Sequence, residues 1–256
     1  MNLIHSLTLI LHILAGTAAM ILFWAPAVAK KGSPNHIRFG RYYVNTMYAI
    51  AASGFLMALL VIIDPIGLHG DAVSKITDPE KQATVIRSFW SFLMYLSLLT
   101  VATLRHGVLV LKHKKDRKQL TRLSHLSLMT ALTVLGPVLA IWGYQIGMTL
   151  LIIFGCLGLF LGGSMLHYCF KSTLSKMEWW IEHLGSMIGS GIAAYTAFFS
   201  FGVRRILEDY ATLQLLSWIL PGVIGTVAIQ YLTRHYRKKF ANKRPNTSAA
   251  VVSDNS

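Results

Sequence analysis

Residues 148–170 read MTLLIIFGCLGLFLGGSMLHYCF, 23 positions without a single Asp, Glu, Lys or Arg. At ~1.5 Å per residue, a helix of that length covers the ~30 Å hydrocarbon core of a bilayer. Comparable apolar stretches occur at about 3–29, 42–64, 88–111, 126–146, 180–202 and 211–232. The chain therefore reads as all-α, a polytopic bundle of seven transmembrane helices in one membrane domain over residues 1–240. The small polar residues of 241–256 are expected to be disordered. Of 256 residues, 54% are apolar and only 13% charged, against about 25% charged in soluble domains. That excludes an ordinary soluble enzyme.

Working outward from this stretch, only Gln145, Ile146 and Gly147 separate it from the span before. Gly143 and Gly147, beside Trp142 and Tyr144, suit a tight interfacial turn. In the first span, Ala27-Val28-Ala29 resembles a signal cleavage site. No Lys or Arg precedes the apolar run, however, and Lys30-Lys31 follow it at once, so it reads as a retained helix.

Charge sets the expected orientation. With seven spans, the segments 30–41, 112–125, 171–179 and the tail from 233 share one side. The other side holds only Lys75, Lys81, Arg87, Arg204 and Arg205 of the 24 Lys and Arg. The positive-inside rule then predicts an outer amino terminus and a cytoplasmic carboxyl terminus. This also accounts for the net charge of +14, so no nucleic-acid partner is expected. The basic loop from Lys112 to Arg122 and the tail from Arg234 to Arg244 would instead meet anionic lipid headgroups. The connection from Asp64 to Arg87 exceeds usual loop lengths and is expected to carry a short helix or lid. Asp78-Pro79 reads as the cap and first residue of the next helix.

Candidate chemistry resides in the histidines. His106 lies six residues from Lys112, His167 four from Lys171 and His183 four from Trp179. Three spans thus hold imidazoles at one level, about 6–9 Å into the inner leaflet. Ionisable groups at such depth are functional candidates. The set suits haem b ligation, a transition-metal site or a proton relay, with His36 and His125 as further ligand candidates at the cytoplasmic interface. The alternative is hydrogen bonding that merely holds the bundle together. His12, Asn45, Arg105 and Glu182 are the other polar positions of interest. Because helix neighbours point about 100° apart, Glu182 and His183 are expected to face different ways. Cys156 and Cys169 read as apolar packing residues, too far apart on one helix to pair.

Gly158 with Gly162, and Gly185 with Gly189, form two small-residue stripes. They predict close packing of the fifth span on the sixth, and faces through which copies of the chain could associate. Pro137 and Pro221 are expected to kink spans four and seven. Functionally, the expectation is a membrane electron-transfer protein holding haem b or a metal. The alternative is a small transporter, proton path or lipid-interacting protein, although no internal repeat supports transport.

From His12 onward the chain carries H-I-L-A-G and then KGSPNHIRFGRYYVNTM, with Lys31, Gly32, His36, Gly40, Arg41 and Tyr43 prominent. This resembles a family of bacterial predicted membrane proteins of unknown function. Their first two helices carry a histidine and then a K-G-x-x-x-H-x-x-x-G-R-x-Y loop. The likeness covers the first fifth of the chain. It implies a bacterial inner-membrane location and draws attention to His12 and His36. The chain does not resemble seven-helix hydrolases of the ceramidase type, since the seventh span has no H-x-x-x-H pair.

Overall fold

The computed structural model describes residues 2–202 and 210–241. Its helices are α1 Asn2–Val28, α2 Pro34–Ile63, α3 Pro65–His69, α4 Pro79–Lys112, α5 Leu123–Ile146, α6 Thr149–Phe170, α7 Glu178–Gly202 and α8 Ala211–Ala241. Short 3-10 turns lie at Gly70–Val73 and Arg117–Thr121. All but α3 are long and apolar enough to cross a membrane, which makes this a multi-pass membrane protein. Arg204, Arg205 and the tail beyond residue 241 lie outside the described residues.

Local sequence accounts for the helix ends. Ser33 caps α2 by accepting from the His36 N–H, and Pro34 follows at the first position. Asp78 accepts from the Glu80 and Lys81 N–H groups and Pro79 starts α4, as its sequence predicts. The expected 64–87 helix is α3, opened by Asp64, whose carboxylate accepts from the Gly67 N–H at 3.0 Å. Between α5 and α6, Gly147 adopts φ +71°, and the Met148 N–H donates back to the Gly143 carbonyl at 2.8 Å. Only a residue free of Cβ strain holds that left-handed position cheaply. Both α5 and α8 run on through Pro137 and Pro221.

Helix α4 is central. Its Phe92, Tyr95 and Leu99 pack with Met129 and Leu132 of α5 and with Leu151 and Met165 of α6. Elsewhere Leu104 of α4 joins Ala19 of α1 and Tyr43 and Met47 of α2. Large side chains such as Leu11, Ile21, Phe160 and Val227 remain exposed. In water that surface would be costly, whereas in lipid it faces its own kind.

The helix pairing departs from the sequence expectation. The close partner of α6 is α5, while α7 lies against α4 and α8. The small residues explain why. A Cβ on Gly136 would lie 2.5 Å from the Gly155 carbonyl oxygen, so these backbones meet directly. Gly162 sits against Thr133, again of α5, while Gly185 has open space around it. On α4, a Cβ at Gly107 would lie 2.6 Å from that of Ser186, and this contact brings α7 up to α4.

Candidate metal centre

That approach places residues 182 and 183 of α7 against residues 106 and 107 of α4. His106 and His125 have no exposed surface. His106 Nε2–H donates to Glu182 Oε1 at 3.1 Å. Its Nδ1 lies 3.3 Å from His125 Nε2. The two rings lie within 5° of parallel with centroids 5.5 Å apart, the spacing of rings meeting head to head. With Glu182 holding the proton on His106 Nε2, Nδ1 is the acceptor and His125 Nε2–H the donor. His125 Nδ1 is then buried without a partner.

Cys169, on α6, completes the cluster. Its Sγ and one ring nitrogen from each of His106 and His125 all lie within 4.8 Å of one another, and all three residues are buried. Tyr168 stands edge-on to His106, with centroids 5.5 Å apart. Arg117, from the 3-10 turn after α4, holds this end of α6 in place. Its guanidinium donates to the Tyr168 carbonyl at 2.9 Å and to that of Lys171. Carbonyls at a helix carboxyl end lack partners within the helix, and a cation there also meets the negative end of the dipole. Lys171 in turn pairs with Glu178 at 2.6 Å, bracing the α6–α7 connection.

Of the residues singled out by sequence, the cluster gathers His106, His125 and Glu182. His183 is close by, but its Nδ1–H donates to the Gly107 carbonyl at 3.0 Å, a bond between α7 and α4. Glu182 and His183 thus both turn toward α4, against the expectation that they diverge. His167 is exposed, away from the cluster. It lies two residues, about 200° of helix, from Cys169, so the face that buries one turns the other outward. His12 Nδ1 lies 2.9 Å from Ser53 Oγ and joins α1 to α2. His36, in the first turn of α2, donates from Nδ1 to the Pro26 carbonyl at 2.9 Å, which also accepts from Lys31 Nζ, so the two residues close the end of α1. Asn45 is exposed. Arg105 donates to Ser124 Oγ at 3.2 Å.

The residue that sequence reasoning passed over is Cys169, read as apolar packing. Its signal was depth: it lies two residues from Lys171, close to the level of the histidines. No family model, curated protein or solved structure matches the chain, so the functional reading rests on this cluster alone.

Proposed function

We propose that the protein is a membrane metalloprotein holding one thiophilic transition-metal ion between His106, His125 and Cys169, and that it serves electron transfer within the membrane. The observation that carries this is the convergence of three buried donor atoms from three different helices within 4.8 Å. At metal–nitrogen bonds of ~2.0–2.1 Å, two nitrogens on one tetrahedral ion stand roughly 3.3–3.4 Å apart. The His106–His125 separation of 3.3 Å already equals that edge. The ion would replace the proton between the rings, with a tilt aiming both lone pairs at it. With a metal–sulfur bond of ~2.3 Å the sulfur stands roughly 3.6 Å from each nitrogen, so Cys169 Sγ closes by about 1.2 Å at most from its present separation. Two imidazoles and a thiolate suit copper or zinc, and the same set in trigonal form is that of copper electron-transfer centres. Glu182 would act from behind His106, as carboxylates do when they orient and enrich a ligating imidazole.

A porphyrin fits less well. It would have to push apart a pair of rings that meet at 3.3 Å in a fully buried setting beside Tyr168. The membrane is taken to be a bacterial inner membrane, with the basic loops inward. The resemblance of the amino-terminal fifth supports the first choice and the distribution of Lys and Arg the second.

The test is metal content and spectrum of the purified full chain after expression with copper or zinc. One equivalent of metal is expected, lost in Cys169→Ser and His125→Gln. A folded wild type that is metal-free from both supplementations would refute the metal site, and one that takes up zinc but no copper would refute electron transfer, because zinc is redox-inert. The hydrogen-bonded chain from Glu182 through His106 to His125 favours a second reading, a short proton relay. Cys169→Ser separates the two, since it removes a metal ligand and leaves that chain intact.

A further inference from the structure

His125 also faces a second feature. Beside it, at the basic end of the bundle, is a cleft of about 210 Å³. Its walls come from the end of α4, the following 3-10 turn and the start of α5. Arg105, Lys112, Arg122, Ser124 and His125 are among the residues that line it, and among the described residues no Asp or Glu does. Three cationic side chains around one cleft without a carboxylate make it a place where an anion is favoured.

Two further observations point to the missing partner. Arg105 Nε–H, a donor, is buried and has no hydrogen-bond partner among the described residues, although Arg105 Nη2 reaches Ser124. Buried polar atoms left unmatched are costly and rare in folded proteins. The cleft also receives the start of α5, a 24-residue helix whose N-cap, Arg122, makes no side-chain capping bond. The His125 and Leu126 N–H groups donate to the Arg122 carbonyl, which leaves those of Leu123 and Ser124 and the positive end of the dipole to meet an anion.

We propose that this cleft is a binding site for a phosphate-type oxyanion, held by Arg105, Arg122 and the amino end of α5, with Ser124 as a further donor. The cations act without any metal, so the proposal stands apart from the function proposed above. The ligand chemistry is a phosphate group, either a free phosphate or the headgroup of an anionic phospholipid.

The experiment uses the full chain in detergent and in nanodiscs. Inorganic phosphate is titrated calorimetrically into the detergent sample. Retained lipid is read by native mass spectrometry from phosphatidylcholine discs with and without added phosphatidic acid. Arg105→Gln and Arg122→Gln should each weaken binding by about tenfold, as expected for one lost charge-assisted hydrogen bond. Lys118→Gln, outside the cleft, should leave it unchanged, and Arg105→Lys should fall between. Binding of inorganic phosphate would identify a free oxyanion site, and selective retention of phosphatidic acid alone a headgroup site. Absence of both, or equal loss in Lys118→Gln, would overturn the proposal. Thermal melting of every variant guards against misfolding, with Ser124→Ala as a milder second probe. Cys169→Ser should keep phosphate binding, so failure of the metal proposal and failure of this one give different results.

Discussion

Replacing Glu182 by Gln tests whether the carboxylate orients a metal-binding imidazole. The side chain keeps its size, and its amide oxygen can still accept from His106 Nε2–H, so the contact at 3.1 Å survives while its charge does not. Carboxylates behind a ligating histidine typically contribute 10- to 100-fold in metal affinity, about 1.4–2.7 kcal/mol. His106 has no exposed surface, but the Glu182 side chain is 27% exposed, so solvent screens some of the charge. The expected loss is accordingly toward the lower figure, about tenfold. Thermal stability should fall by roughly 1 kcal/mol or less, because the hydrogen bond persists. The assay is competition for the metal against a chromophoric chelator, with the full chain in detergent and Cys169→Ser as the metal-free reference. An affinity within about twofold of wild type in a variant that melts normally would refute the reasoning. Glu182 would then be only a packing contact of α7.

Three more outcomes follow from the geometry. Gly158→Ala would overlap Tyr95 Oη, whose hydrogen bond to the Leu132 carbonyl is 2.8 Å, so melting should show a loss of about 1–3 kcal/mol. Gly163→Ala, with open space around it on the same helix, should be neutral or slightly stabilising. His167→Gln should leave metal content and melting unchanged, because the residue is exposed, whereas His106→Gln should abolish metal binding. At the opposite end of the bundle, burial and then the neighbouring His5 hold the His69 imidazole below its ordinary 6.5. An opened loop takes up the proton first, so the stability of this segment is full above pH 6.5 and is lost as pH falls from there toward the depressed folded value. Protection against hydrogen exchange across residues 65–73, taken relative to the intrinsic base-catalysed rate at each pH, should therefore fall on acidification, and His69→Gln should flatten that dependence.

The seven spans, the tight turn at Gly147 and the Asp78-Pro79 helix start were legible because each depends on properties local to the chain. Hydropathy over twenty residues, a glycine where φ must be positive and a carboxylate before a proline act without reference to distant partners. The common depth of His106 and His183 was legible for the same reason, since position along a helix converts directly to height in the bilayer. Which faces meet is a different question. It depends on which helices pair and how they rotate, and that is decided by close contacts such as Gly136 with Gly155 and Gly107 with Ser186. Those contacts bury Cys169 and turn His167 outward, although the two are separated by only two residues. They also carry His125 from an apparent loop position into the centre of the cluster, and draw Glu182 and His183 toward the same helix. Sequence thus determined the spans and the level of the polar groups. Only the tertiary arrangement decided which of those groups meet, because helix rotation is set by packing between segments remote in sequence.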